Sequence, residues 1–404
     1  MRIRSITYFM DPRFPISKNL IQKAGIFVRH AEQAFIQDGY PVQSIRLATP
    51  PFASFLHRDS YLSALAQIEN MTHGEGFAYV ALGPALPEHI HSYSAIPEML
   101  AQSSNVFFSG HLTTTKGEIC LPAVRACAQV VFQSAALEAD GFTNLRFAAL
   151  ANVPPWVPFF PAAYHQGKAP AFGLAIEAAD LAVDAFSEAD LLSGASDQLV
   201  ESIETHAHRL EAIGARLEKI YQVEFKGIDF SLAPFPTGEI SIGSALEHLG
   251  VSKLGLSGSL AAAAFLMNCL DRAQFKRTGF NGLMLPVLED QVLAQRGGEG
   301  VLGIKDLLLY SAVCGTGLDT VPLPGDASVE QIQAVLLDIA ALSLRLNKPL
   351  TARLMPIPGK HSGDETGFNF EFFAPGKVLS LPAASLTGLL AGDENVAILG
   401  RTVV

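Results

Sequence analysis

About ten short runs rich in Val, Ile, Phe, Leu and Ala recur along the chain, separated by longer stretches with an apolar residue every three or four positions. Parallel strands joined by crossover helices require that alternation, because each strand must return to the same end of the sheet before the next begins. The runs predict strands over residues 2–9, 44–50, 77–83, 105–111, 146–152, 170–176, 227–234, 280–287, 350–357 and 369–374. They are nearly continuously apolar, as strands covered on both faces are. The intervening period predicts helices over 18–38, 123–138, 198–221, 261–272 and 329–347, with Ser328 as the N-cap of the last. The fold class is α/β. Periodicity leaves an open sheet, two domains and a barrel wider than the common eight strands all open.

Composition bounds the function. The chain has 404 residues, of which 49% are apolar and only 17% charged, and its mean hydropathy is +0.28. Much of it must therefore be interior, within one large core or between subunits. No low-complexity linker divides it, so residues 1–404 are expected to form a single domain. The net charge of −11 repels phosphate backbones and anionic bilayers, which disfavours nucleic-acid and membrane partners. No apolar run reaches the roughly 20 residues of a membrane span, and Asp11 and Pro12 interrupt the start before a signal peptide forms. The expected location is cytoplasmic. Cys120, Cys127, Cys269 and Cys314 show no CxxC spacing, so neither disulfides nor a zinc site are expected. Apolar composition with an acidic balance predicts a homodimer.

Chemistry in parallel α/β folds sits beyond the carboxyl ends of strands. Ser257, Gly258 and Ser259 precede an Ala-rich helix and suit either an anion or an ordinary N-cap. Glu289 and Asp290 follow the 280–287 run, where Asn281 also lies; the two carboxylates suit a hard cation, proton transfer or a helix dipole. Arg353 inside an apolar run must meet a carboxylate or an anionic ligand. Lys360, Gly363, Asp364 and Glu365 follow it in a loop that reads as a site or a hydrated turn. His165, at the end of a Pro-rich stretch, is a proton carrier or a carbonyl partner. Cys314, two glycines and Asp319 form a further cluster, a nucleophile or a small buried thiol. The pairs His89/His91 and His206/His208 have poor geometry for a metal.

Five segments in order carry a resemblance: Asp229-Phe230-Ser231-Leu232-Ala233-Pro234, Ser257-Gly258, Pro286-Val287-Leu288-Glu289-Asp290, Cys314-Gly315-Thr316-Gly317-Leu318-Asp319, and Pro356-Ile357-Pro358-Gly359-Lys360 with Gly363-Asp364. Together they resemble the microbial domain-of-unknown-function family number 711, most clearly over residues 152–368. The resemblance implies a fold similar to pyruvate formate-lyase-like glycyl-radical enzymes: a ten-stranded barrel of two five-stranded parallel halves surrounded by helices. Those enzymes carry a loop cysteine inside the barrel, which draws attention to Cys314, but residues 397–404 lack the glycyl-radical consensus.

The expectation is a barrel interior that binds a small anionic metabolite, a carboxylate or a phosphate. Ser257, Gly258, Ser259, Asn281, Arg353 and Lys360 would hold it, and His165, Asp229, Glu289, Asp319 and Cys314 would supply acid, base or nucleophile. Glu289, Asp290 and Asp364 would hold Mg²⁺ or Ca²⁺, giving a metal-assisted hydrolase or lyase. The alternative is a non-catalytic metabolite-binding or regulatory protein working with a small sensor subunit.

Overall fold

Residues alternate along the strands between large side chains on one face and small or polar ones on the other. The computed structural model describes residues 1–313 and 316–400, and its strands are β1 (Arg2–Phe9), β2 (Ile45–Pro51), β3 (Tyr79–Gly83), β4 (Val106–His111), β5 (Glu118–Cys120), β6 (Phe147–Ala151), β7 (Ala171–Glu177), β8 (Glu224–Ala233), β9 (Gly317–Pro324), β10 (Leu350–Ile357) and β11 (Asn395–Ala397). The helices are α1 (Lys18–Gln37), α2 (Tyr61–Gly74), α3 (Ile96–Ala101), α4 (Leu121–Ala135), α5 (Ala179–Glu188), α6 (Leu192–Tyr221), α7 (Ile242–His248), α8 (Ser259–Arg272), α9 (Gln291–Gly298), α10 (Ile304–Ser311) and α11 (Val329–Leu346). No helix among the described residues is long and apolar enough to cross a membrane.

Nine strands form one mostly parallel sheet in the order β8-β7-β1-β2-β3-β4-β6-β10-β9. The five central strands β1, β2, β3, β4 and β6 run parallel to one another. On one side β7 pairs antiparallel to β1 and parallel to β8; on the other, β10 pairs antiparallel to β6 and parallel to β9. β5 and β11 make a separate antiparallel pair.

The outer face of the sheet carries Ile3, Ile6, Leu47, Val80, Phe108, Phe147 and Phe172 into the main core with the helices. Helix α1 shows why: Ile21, Ala24, Val28, Ala31 and Phe35 recur at helical spacing and are all buried. Ser328 caps α11 as expected, its hydroxyl accepting from the Gln331 amide within a capping box. The inner face is different. Ala48, Ala81, Ala148, Ala175 and Ala233 leave room there, and the Pro-rich segment fills it with Val153, Val157, Phe159, Phe160, Ala162 and Ala163. The Pro158 carbonyl accepts from Thr7 Oγ1 at 2.7 Å and from Ser5 Oγ at 3.2 Å, which fixes the segment against β1.

Two expected strands are absent. Residues 369–374 form turns, and residues 280–287 are irregular. β9 was hidden from periodicity by Pro322 and Pro324, which lack amide donors; among the described residues regular pairing joins β9 only to β10, so at the sheet's edge those prolines are tolerated. Regular ladders among the described residues close no barrel. The irregular segment nevertheless lies between the two end strands, with parallel bridges from Arg277 to Ile228 on β8 and from Pro286 to Asp319 on β9. Asp229 and Asn281 clasp its β8 side: Asp229 accepts from the Phe280 and Asn281 amides at 2.7 and 2.9 Å, and Asn281 Oδ1 accepts from the Phe230 amide at 3.0 Å. On the β9 side the Val287 amide donates to the Asp319 carbonyl at 3.0 Å.

Burial carries the Asp229 carboxyl up to about 6, against hydrogen bonds from Ser231, Phe280 and Asn281 that pull it down. An unfolded aspartate loses its proton near pH 4, so the folded state holds it longer. The stabilisation from this group is full below about pH 4 and is lost as pH rises through about 6. In urea unfolding, the stability of the wild type relative to Asp229→Asn falls by about 2 kcal/mol between pH 4 and pH 7. A difference that does not change with pH contradicts the assignment.

Candidate functional site

One rim of the sheet's inner face is left open where the Pro-rich segment ends. There the inward positions are Arg4 on β1, Arg46 on β2, Tyr79 on β3 and Phe107 on β4, facing Asp319 on β9 and Arg353 on β10 across a cavity of about 540 Å³. Glu289 joins them just beyond the irregular segment, Phe159 and Phe160 line the cavity from the Pro-rich segment, and Phe370 and Phe372 come from the C-terminal turns. The end strands run opposite to β1, so a single rim combines starting residues of β1–β4 with the last residue of β8. Arg4 owes its inward position to a register shift between Ile3 and Ser5.

The charges form a chain. Arg353 donates from Nε to Asp319 Oδ1 at 2.6 Å and from Nη2 to Glu289 Oε1 at 2.7 Å. Arg4 donates to the other Glu289 oxygen and lies 3.6 Å from Glu177, to which Arg2 also donates at 3.1 Å. Burial alone would raise the Glu289 carboxyl, but Arg4 and Arg353 outweigh it and hold the pKa below the usual range. Asp319 goes the other way: burial raises it, the Glu289 charge adds to the rise, and Arg353 only partly offsets them. Its Oδ2 accepts no hydrogen bond from any described residue.

Arg46 stands apart. It is 9% exposed, yet no carboxylate among the described residues pairs with it. Its Nε donates to Ser44 Oγ at 2.9 Å, and its guanidinium lies 5.2 Å from the Phe160 ring centre and 5.7 Å from that of Tyr79. Burial and then the Arg4 charge push its pKa down to about 9. A desolvated cation held on aromatic faces, with no carboxylate in ion-pair contact and the Glu289 charge acting on it only at longer range, is suited to a ligand anion.

Of the residues expected at one site, Glu289, Asp319 and Arg353 come together. Asp290, next to Glu289, faces away and caps two helices at once: it accepts from the Ile242 and Gly243 amides at α7 and from the Val292 and Leu293 amides at α9, with Ser241 Oγ at 2.7 Å. Asp364 is exposed in a turn, accepting from the His361 amide. No three His, Cys, Asp or Glu side chains gather as a metal-holding group among the described residues, so Glu289, Asp290 and Asp364 do not make the expected Mg²⁺ or Ca²⁺ site. Asp229 and Asn281 belong to the clasp. Ser257 and Gly258 are exposed, and the Ser259 hydroxyl closes its own turn between Gly255 and Leu256. Lys360 binds Gly325 through its backbone and does not line the cavity. His165 is buried beyond the opposite ends of the central strands, its amide on the Thr49 carbonyl, and burial lowers its pKa. Cys314 lies outside the described residues. Sequence reasoning passed over Arg4 and Arg46, although Arg46 in an apolar strand carries the same signal that singled out Arg353.

A family model described as "Uncharacterised ACR (DUF711)" matches residues 1–370, reaching well before the segment where the resemblance was clearest. A UPF0210 protein of Pyrobaculum aerophilum is 33% identical over 262 residues, covering 63% of this chain and 57% of that relative. One of Syntrophobacter fumaroxidans is 29% identical over 379 residues, covering 87% and 82%. One of Pyrobaculum islandicum is 30% identical over 346 residues, covering 81% and 76%.

Because Asp290 satisfies four helix-start amides inside the core, Asp290→Ala costs at least about 2 kcal/mol in chemical unfolding. Glu289→Gln, which changes the cavity and spares the caps, leaves the amides of α7 and α9 as protected in hydrogen exchange as in the wild type. Equal loss of protection in both variants contradicts the division of roles.

Proposed function

The chain belongs to the Uncharacterised ACR (DUF711) family, and on that footing we propose that it is an enzyme binding a small organic anion at Arg46 and moving a proton on it with Asp319. The observation that carries this reading is the buried Arg46 guanidinium without a carboxylate partner, lining a cavity large enough for a metabolite. The ligand acid group takes the place of the missing counter-ion. Its body lies along Tyr79, Phe107 and Phe160.

Asp319 is the proton carrier. Arg353 holds its Oδ1 and orients it, Oδ2 is left for the ligand, and its raised pKa keeps the proton transferable nearer neutrality. Glu289 has both oxygens tied to arginines and stays ionised, so its role is to position Arg4 and Arg353. The reaction class that fits is a lyase: Asp319 takes the proton from the carbon beside the anchored acid group, the electron pair of that C–H bond forms a double bond, and the group on the next carbon leaves with its bonding pair. That double tie at Glu289 also favours the second reading, a non-catalytic binder, because within the charge chain of Arg4, Glu289, Arg353 and Asp319 it leaves Asp319 alone to act.

In fold terms, the segment from Arg277 to Pro286 is taken as the irregular tenth member of a barrel. Its bridges to β8 and β9 support this, and so does a single Pro-rich segment packed against residues of seven strands.

Thermal denaturation with a panel of small mono- and dicarboxylates and phosphate monoesters tests the binding. At least one raises the wild-type midpoint, and Arg46→Met removes the shift. Asp319→Asn keeps the shift but slows deuterium exchange from solvent into the bound acid by about 100-fold or more. No stabilisation by any member, or an undiminished shift in Arg46→Met, overturns the site. Exchange unchanged in Asp319→Asn, or absent from the wild type, overturns the enzyme reading in favour of the binder.

A further inference from the structure

β1 has two working faces. Arg4 points into the cavity already described, while Tyr8 belongs to the opposite face and lines a second cavity of about 570 Å³. This cleft lies between α1, the end of α6 at Tyr221, and the residues leading into β7 and β8. Its wall is apolar and aromatic: Phe27 packs against Tyr8 at 5.4 Å and against Tyr221 at 5.5 Å between ring centres, and Ile26 beside it is 47% exposed.

Around that wall stand Arg13, Lys23 and Lys168. None of their side chains has a hydrogen-bond or ion-pair partner among the described residues. The one acid in the lining, Asp11, is turned back on its own loop, accepting from the Arg13 amide at 2.7 Å. Three unpaired cations around a concave surface are a marked local excess in a chain of net charge −11. A second observation is independent of them. Tyr8 is only 5% exposed and its hydroxyl bonds no described residue, but that oxygen is not sealed in the core, so it is free to meet a polar atom in the cleft.

We propose that this cleft is a second ligand site, taking a small organic acid with a flat apolar body, its acid group among Lys23, Lys168 and Arg13 and a polar atom on the Tyr8 hydroxyl. It is separate from the Arg46 cavity.

The test is isothermal titration calorimetry with 1-naphthyl phosphate, run on the Arg46→Met variant so that the first cavity does not contribute. Saturable binding at one molecule per chain is expected, with 1-naphthoate binding less tightly and inorganic phosphate giving no saturable heat. In the same background Lys23→Glu with Lys168→Glu weakens binding by at least about tenfold, since two attractive charges become repulsive. Tyr8→Phe, which keeps the aromatic wall, weakens it about threefold to tenfold. The lysines are exposed, and unchanged melting of their variant separates charge from folding. Absence of saturable binding, or affinity unaltered by the charge reversal, overturns the proposal.

Discussion

The inner face of the sheet is filled by a single polypeptide segment, and most of the structure follows from that. Small side chains at Ala48, Ala81, Ala148, Ala175 and Ala233 make sense only because Val153, Val157, Phe159, Phe160 and Ala163 occupy the space in front of them. Prolines at 154, 155, 158 and 161 suit the task, since each removes an amide that would need a partner in an apolar interior. The Pro158 carbonyl receives its hydrogen bonds from Ser5 and Thr7, polar residues set in an otherwise apolar strand. The cavity is what remains of the interior beyond this filling, with Phe159 and Phe160 as its wall.

Charge at that rim is organised around an imbalance. Arg2, Arg4, Arg46 and Arg353 face Glu177, Glu289 and Asp319, and the pairing leaves Arg46 without a carboxylate, whereas Arg146, which also lines the cavity, is held by the Leu100 and Ser103 carbonyls. Desolvating a guanidinium is costly, and Arg2, Arg4 and Arg353 offset it with charge-assisted hydrogen bonds. Arg46 has only Ser44 and two aromatic faces. The absent partner is therefore the part of the site a ligand would complete, and the same pairing pattern separates a fixed carboxylate at Glu289 from a titratable one at Asp319.

Much of the fold was legible because strands buried on both faces leave continuous apolar runs: the five central strands and helices α1, α4, α6, α8 and α11 fall close to where periodicity put them, whereas α2 and α3, between central strands, were not among the expected helices. Periodicity failed where backbone pairing is not regular. Residues 280–287 look like a strand and are held by the side chains of Asp229, Asn281 and Thr316 instead of a ladder. β9 looks like a loop because its prolines are tolerated at the sheet's edge. For the site, the cost of burying arginine singled out Arg353 as needing a carboxylate or an anion, and the structure gives it the carboxylates of Asp319 and Glu289. The rule that ligands lie beyond the carboxyl ends of strands pointed to Ser257 and His165, which lie away from the Arg46 cavity, because here oppositely directed strand sets share a rim. Nothing in sequence told Asp290 from Glu289; adjacent side chains diverge, and only the positions of α7 and α9 decide which one is consumed as a cap.

The central claim is that Arg46 lacks a counter-ion until a ligand supplies one. Crystals soaked in sodium bromide address it directly, since anomalous scattering locates each bound anion without knowledge of the natural ligand. The account predicts a bromide in the cavity within hydrogen-bonding distance of the Arg46 guanidinium. A protein carboxylate found against Arg46, with bromide bound elsewhere but not there, would contradict it.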